Sequence, residues 1–241
     1  MAAGRVPAAN RAASTRIESI GDLPGLKWWV EPDSIVATDA VDSWTDKSGL
    51  GNTITETGTN RPTLVSSVLD GYNGIQVVAA SSQRLRKLNS PLITGRAFTF
   101  GLVMRVDANI ANARYFCNGI ISSSGLEFCD AAGLYSPTFA GVANQPANAL
   151  SLGAFHMFVY RVAGPLTNGF YRYDRAATAM TSTLGFINPS ASAPLILGAR
   201  DNLTLHSSAT FVAGFLCDRF LTEVHVAFIE QTWKTKYPTL A

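Results

Sequence analysis

The sequence predicts an all-β protein, an antiparallel sandwich that ends in one short helix. Residues 98–106 place an apolar side chain at every second position, which is the period of a strand with one buried face. Further short apolar runs are separated by clusters of Gly, Asn, Ser and Pro, as in sandwiches built from many short strands. Only the end of the chain has helical spacing. At 241 residues the chain suits one sandwich domain.

The first strand is expected at residues 26–30, where it ends before Pro32. Residues 155–162 are largely apolar on both faces, so this strand should be central and covered on both sides. Asn73-Gly74 is typical of a hairpin turn, because both residues tolerate positive φ. Other strands are expected at residues 115–121, 126–129, 169–173, 194–197 and 210–220, with surface loops at residues 136–149 and 181–193.

Residues 222–236 predict the helix. Val224, Phe228, Ile229 and Trp233 lie at helical spacing. Thr222 is suited to cap the N-terminus of the helix. Pro238 follows the last turn and ends the helix.

The first 22 residues predict a flexible, extended basic arm in front of a single domain at residues 23–241. Arg5, Arg11 and Arg16 precede the first acidic residue, Glu18, in a segment rich in Ala, Asn, Ser and Pro. Such a segment is either a solvated terminus or an arm that docks on an acidic partner surface. Both interpretations stay open at the level of sequence.

Composition excludes several classes. The net charge of +2 is too small to predict nucleic-acid binding by the domain. The sequence has no run of about eighteen apolar residues and no secretory signal, which predicts a protein made in the cytoplasm. Cys117, Cys129 and Cys217 lack metal-ligand spacing and are expected to be buried thiols; the alternative is a disulfide between Cys117 and Cys129.

Several stretches resemble those of one fold family. Residues 44–52 read Trp-x-Asp-x-Ser-Gly-x-Gly-Asn, and Arg-Pro-Thr follows at residues 61–63. Asn-Gly-Ile-Gln-Val-Val stands at residues 73–78, and residues 195–200 and 211–221 precede the terminal helix. Over residues 23–237 this order is similar to that of concanavalin A-like, laminin-G-like jelly-roll domains. The resemblance implies an antiparallel jelly-roll sandwich.

The same resemblance implies a function. Domains of this family occur in bacteriophage virion proteins, so we expect a non-enzymatic virion structural protein, either a capsid decoration or part of an adsorption fibre of a tailed phage. The protein would reside in the virion as a homo-oligomer, for example a trimer. Arg5, Arg11 and Arg16 would dock the arm on other virion proteins. The alternative is a lectin-like carbohydrate-binding module that recognises a host surface glycan through loops.

The acidic residues argue against hydrolysis. Glycoside hydrolases need two opposed carboxylates, and the six Glu of this chain do not form the Glu-x-Asp-x-x-Glu pattern of hydrolases on this fold. We therefore expect no enzyme activity and no cofactor. Asp39, Asp42 and Asp46 have oxygens suited to calcium, although carboxylates in Gly-rich loops more often cap turns. Both roles are kept as alternatives.

Aromatic residues are the other candidates for sugar contact, because aromatic rings stack on the apolar faces of sugar rings. Trp28, Trp29, Trp44 and Trp233 lie in stretches that predict core positions, and Trp28 and Trp29 must point to opposite faces of their strand. The aromatic residues near predicted loops are the better candidates for an exposed glycan platform: Tyr135, Tyr171 and Tyr173.

Overall fold

The computed structural model describes most of the chain. It covers residues 17–90, 92–93, 97–120, 124–131, 134–139, 142–143, 151–163, 168–173, 176–180, 193–200 and 202–240. Residues 120, 124–125, 127, 129–131, 134–139, 142–143, 163, 168–173 and 176–180 are described by their backbone.

Strands dominate the described residues. They are β1 (Leu26–Val30), β2 (Ile35–Ala37), β3 (Val41–Trp44), β4 (Ile54–Thr55), β5 (Thr63–Leu69), β6 (Tyr72–Val77), β7 (Leu85–Lys87), β8 (Phe98–Ala108), β9 (Arg114–Ile120), β10 (Ser124–Ala131), β11 (Leu134–Phe139), β12 (Val142–Ala143), β13 (Phe155–Ala163), β14 (Asn168–Tyr173), β15 (Ala176–Met180), β16 (Leu195–Leu197) and β17 (Ser208–Cys217). The α-helix is α1 (Glu223–Lys236), and short 3-10 helices span Ile20–Asp22, Pro32–Ser34, Gly58–Asn60 and Ala79–Ser81.

The described strands form two antiparallel sheets. The eight-stranded sheet has the order β15-β14-β13-β8-β17-β6-β5, and β1 pairs with the last part of β17. The nine-stranded sheet has the order β12-β11-β10-β9-β16-β7-β4-β3-β2. Apolar side chains of the two sheets meet in one buried cluster, so the sheets pack as a sandwich. This confirms the predicted all-β antiparallel jelly-roll class with a C-terminal helix.

Aromatic rings fill the space between the sheets. Phe100 on β8 stacks on Phe116 and on Tyr160, with ring centroids 5.2 and 5.7 Å apart. Trp28 and Trp44 meet edge to face at 6.5 Å. Each of these rings is fully buried. Burial of large aromatic surfaces is the main stabilising contribution here.

The four tryptophans are scaffold residues, as predicted. Trp28, Trp44 and Trp233 are at most 1% exposed. Trp29 points to the other face of β1 and packs at the margin of a second core. The Lys47 Nζ lies over its ring, 4.8 Å from the ring centroid. The alternation of a strand thus sends two adjacent tryptophans into two different cores.

Helix α1 covers the outer face of the eight-stranded sheet and builds that second core. Its buried apolar residues are Val226, Ile229 and Trp233. The predicted helix is confirmed, but its predicted face is wrong at Val224, which is 76% exposed. The face that meets the sheet is shifted in phase, because Trp233 packs on Phe215 of β17, 5.6 Å between ring centroids.

The helix also changes the burial of β8. The sequence predicts one buried face, but Thr99 and Val103 on the second face are fully buried as well. Gly101 is the point of closest approach, since a Cβ there would lie 2.5 Å from Phe215 and 3.0 Å from Trp233. β13, on the other side of β8 from β17, is central and buried on both faces, as predicted.

The hairpin predicted around residue 73 turns at a different place. Asn73 and Gly74 lie inside β6, and the β5–β6 turn is formed by Asp70 and Gly71, with φ of 48° and 84°. The Asp-Gly pair supplies the two positive φ angles that such a turn requires. Gly74 is needed for packing instead, because a Cβ there would lie 2.7 Å from Val68.

The predicted loop at residues 136–149 is partly strand, because Leu134–Phe139 and Val142–Ala143 continue the nine-stranded sheet. Residues 140–141 and 144–149 of this predicted loop lie outside the described residues, as do residues 181–192 of the other.

The described chain begins inside the segment predicted as an arm. Ile20 belongs to the short helix Ile20–Asp22, is 1% exposed and packs in the second core. The folded body therefore includes residues before Leu23. Arg5, Arg11 and Arg16 lie outside the described residues. Within the described part of the chain, α1 is too short and too polar to cross a membrane.

Two cysteines behave as predicted. Cys117 and Cys217 are fully buried. In the β9–β10 register Cys117 lies opposite Glu127 and Cys129 lies opposite Arg114, and the side chain of Cys129 is outside the described residues. Small thiols fill these sites as apolar groups.

Candidate ligand-binding site

Asp46 organises the loop after β3. Its carboxylate accepts hydrogen bonds from the backbone N–H groups of Trp29, Ser48 and Asn52 at 3.1, 2.9 and 2.7 Å. The Ser48 hydroxyl donates to it at 2.8 Å. Asp46 is 8% exposed, so its oxygens are used by the loop itself. The turn-capping role is the one the hydrogen bonds show.

Asp39 and Asp42 engage an arginine instead. Arg61 lies 2.6 Å from Asp42 and 3.0 Å from Asp39. A hydrogen bond from Thr38, with the Arg61 charge, lowers the pKa of Asp39. Asp46 is not part of this cluster, and the described residues contain no group of three or more His, Cys, Asp or Glu suited to a metal ion.

The three tyrosines predicted as a glycan platform do not share a sheet. Tyr135 lies on β11 in the nine-stranded sheet, opposite Asp130. Tyr171 and Tyr173 lie on β14 in the eight-stranded sheet, opposite Tyr160 and Phe158. Their side chains are outside the described residues. The platform remains a prediction.

A cavity of about 460 Å³ opens beside the β5–β6 turn, and we call it the hairpin cavity. Three parts of the chain meet there: the turn, the segment that leads into β13, and the tail after α1. The lining residues are Val68, Leu69, Asp70, Ser151, Ala154, Phe155, His156 and Thr239.

Asp70 supplies the carboxylate of the hairpin cavity. Its Oδ2 accepts hydrogen bonds from the backbone N–H and the hydroxyl of Thr239, at 3.1 and 3.0 Å. Its Oδ1 has no partner among the described residues. The tail thus fixes the carboxylate and leaves one oxygen available to a ligand. Both Asp70 and Thr239 are exposed.

Phe155 supplies the aromatic wall. The Arg105 guanidinium lies over its ring, 5.1 Å from the centroid, and an ion pair of 2.6 Å to Asp107 holds that guanidinium. The Thr210 hydroxyl donates to Asp107 at 2.7 Å and fixes the pair on the sheet. The ring is therefore positioned before any ligand arrives, which lowers the entropy cost of binding.

His156 also lines the cavity and is 5% exposed. Its Nε2 lies 3.2 Å from the Ser151 hydroxyl and 3.3 Å from the Ser151 carbonyl oxygen. A carbonyl only accepts, so Nε2 is the protonated nitrogen when it bonds to that oxygen. In that tautomer Nε2 orients Ser151 and has no lone pair with which to take its proton.

None of these lining residues was a predicted site residue. Asp70 and Thr239 are 169 positions apart, and no spacing rule connects them. The local signal in the sequence is the Asp70-Gly71 pair, a hairpin dipeptide three residues before Asn73-Gly74. Phe155 was expected only as a strand residue.

No protein-family model matches the chain, and no curated protein matches it in sequence. Solved structures resemble it in fold. The binding domain of Paraclostridial Mosquitocidal Protein 1 is 14% identical with a TM-score of 0.63, over 87% of this chain and 52% of that one. Domain 4 of AbnA, an arabinanase from Geobacillus stearothermophilus solved with arabinotriose, is 11% identical with a TM-score of 0.59, over 86% and 98%.

Trypanosoma rangeli sialidase in complex with the inhibitor DANA is a third similar structure. It is 12% identical with a TM-score of 0.61, over 86% of this chain. The chain spans 33% of the sialidase's length and about half of the mosquitocidal protein's binding domain. At these identities the similarity establishes the β-sandwich fold.

Proposed function

We propose that this chain is a non-catalytic carbohydrate-binding module and that the hairpin cavity is its glycan site. The observation that carries the proposal is the presence of Phe155 and the available Asp70 oxygen in one cavity of about 460 Å³. Sugars present apolar C–H faces that suit an aromatic wall and hydroxyls that donate to a carboxylate. The volume falls in the range of small-ligand sites.

The similar structures support this class of function. Domain 4 of AbnA was solved with arabinotriose, and the mosquitocidal protein's domain is described as a binding domain. The chemistry of the cavity supports the absence of catalysis. Glycoside hydrolysis uses a pair of carboxylates, whereas Asp70 is the one carboxylate among the described lining residues.

A glycan array followed by calorimetric titration tests the proposal. Asp70→Asn keeps the turn, since Asn tolerates the left-handed region, and removes the charge. A hydrogen bond to a charged group contributes about 1.5–3 kcal/mol, so the variant should bind about 10- to 100-fold more weakly. Asp39→Asn, also at an exposed carboxylate, is the matched control and should bind like the wild type. No glycan bound, or equal affinity of Asp70→Asn and wild type, contradicts the proposal.

We further propose that the module acts on a virion, where the arm anchors it. The support is the basic segment around Arg5, Arg11 and Arg16 and the family resemblance. Because Ile20 is part of the second core, the deletion that tests the arm should stop at residue 16. This deletion should abolish particle association and leave the melting temperature unchanged. Association that survives the deletion contradicts the docking role.

A further inference from the structure

A second cavity lies on the nine-stranded sheet next to a group of charged side chains in which cations outnumber carboxylates. Glu56 and Arg84 are 7% and 8% exposed. Arg84 Nε and Arg86 Nε lie 2.8 and 3.2 Å from the same oxygen, Glu56 Oε2. The other oxygen, Oε1, accepts the backbone N–H of Thr57 at 3.1 Å. One carboxylate thus faces two guanidinium groups.

Lys87 adds a third cation. Its Nζ donates to the carbonyl of Gly51 at 2.5 Å and to the Asn52 side-chain oxygen at 3.2 Å. Both acceptors are neutral, and no carboxylate pairs with Lys87 among the described residues. Arg84, Arg86 and Lys87 therefore carry three positive charges against the single negative charge of Glu56.

The cavity beside these charges has a volume of about 290 Å³, and we call it the sheet cavity. Its lining residues are Thr55, Glu56, Thr57, Arg86, Lys87 and Leu88. In the register Arg86 stands between Thr55 of β4 and Ile196 of β16, so these residues share the outer face of the sheet.

The sheet cavity contains hydrogen-bond donors that could bind an oxyanion. Arg86 contacts Glu56 through Nε alone, and its two terminal nitrogens have no partner in the described part of the chain. The Arg86 side chain is 30% exposed. The hydroxyls of Thr55 and Thr57, both on exposed residues, are likewise without partners among the described residues. Leu88, 59% exposed, offers an apolar surface at the rim.

We propose that the sheet cavity binds a carboxylate or sulfate group carried by an acidic sugar. The Arg86 terminal nitrogens form a fork that matches two oxygens of one anion, and charge-assisted bonds of this kind are the strong ones. The threonine hydroxyls donate to the same group or to neighbouring sugar oxygens. The excess positive charge attracts the anion, and Leu88 contacts the apolar part of the ring. The assignment to a sugar rests on the proposed function; the anion site does not.

The test is titration of the full chain with a galacturonic acid oligomer, with its methyl-esterified form, and with sodium acetate at equal concentration. The acidic oligomer should bind at least about 10-fold more tightly than the ester and should weaken with salt. Arg86→Gln should lose about 10-fold or more of that affinity. Arg219→Gln, at an exposed arginine outside both cavities, is the matched control and should retain it. Arg86→Lys keeps the charge without the fork, guards against a folding defect and should also weaken binding.

Equal binding of acid and ester, or wild-type affinity in Arg86→Gln and Arg86→Lys, overturns the anion site. Acetate that binds as tightly as the oligomer overturns the assignment to a sugar. Asp70→Asn, measured in parallel, separates the two proposals: a neutral glycan lost in Asp70→Asn, together with an acidic oligomer that Arg86→Gln and Arg86→Lys bind like the wild type, leaves the proposed function standing while the anion site fails. An acidic oligomer lost only in the Arg86 variants supports the anion site, and a neutral glycan that Asp70→Asn then binds like the wild type contradicts the glycan site at the hairpin cavity.

Discussion

Asp46→Ala should destabilise the protein strongly, although the residue lies in a loop. The substitution leaves the backbone N–H groups of Trp29, Ser48 and Asn52 without their acceptor. An orphaned donor costs about 1–3 kcal/mol, and the lower value applies because water can reach part of this loop. Three donors give a loss of about 3 kcal/mol. For a chain of this size that corresponds to a fall in melting temperature of about 6–12 °C.

Thermal unfolding followed by circular dichroism measures this effect with and without millimolar calcium. Asp46→Asn should fall between the wild type and Asp46→Ala, since one side-chain oxygen remains. Asp39→Ala is the exposed control and should melt like the wild type. A wild-type melting temperature that rises with calcium, and a rise that Asp46→Ala removes, would refute turn capping as the role of Asp46 and assign a metal site.

Three further predictions concern the second core and the buried titratable groups. Gly101→Ala should cost about 1–3 kcal/mol in urea denaturation, because the added methyl group would lie 2.5 Å from the Phe215 ring, 2.9 Å from the Phe158 carbonyl oxygen and 3.0 Å from Trp233; wild-type stability would contradict the close approach. Burial raises the pKa of the Cys217 thiol, so a thiol reagent should label Cys217 only after denaturation, and rapid labelling of the native protein would contradict its burial. Burial, with the charge of Arg84, lowers the pKa of His206 in the folded protein. As the pH drops, the unfolded chain therefore takes up a proton at this histidine before the folded protein does. The free energy of unfolding should fall between about pH 7.5 and the ordinary histidine pKa of about 6.5 and below it. His206→Gln should flatten that decline, and an unchanged pH dependence would contradict the shift.

Local periodicity was enough to predict the helix and many of the strands, but not short strands such as β7 and β11. Strand β1 has the predicted bounds, and α1 begins directly after the predicted cap at Thr222. Trp28 and Trp29 were assigned to opposite faces by alternation alone. These features depend on backbone geometry, which a few neighbouring residues determine.

Features that depend on contact between distant elements were missed. The second face of β8 is buried because α1 lies on it, and the sequence of residues 98–106 does not predict that contact. On the helix, Ile229 and Trp233 were expected on the apolar face and are buried, but Val226 is buried where Val224 was expected, because contact with the sheet sets the phase of that face. Packing of this kind overrides local pattern.

The candidate sites were the least predictable part. The hairpin cavity brings Asp70 together with Thr239, and the sheet cavity places Thr55 beside Arg86 across two strands. The carboxylates that stood out in the sequence, Asp39 and Asp46, are instead used by Arg61 and by the loop backbone. A sequence shows residue types, whereas an available oxygen is defined only by the partners that surround it in the fold.

The most direct test of the central claim is to locate the bound glycan on the protein. Backbone amide chemical shifts are recorded by NMR while the best ligand from the array is added. The proposed function predicts that the largest changes map to Asp70, Phe155 and Thr239 and that they vanish in Asp70→Asn. Saturable changes that cluster elsewhere on the sandwich, with Asp70 and Phe155 unmoved, would contradict the hairpin cavity as the site of glycan recognition.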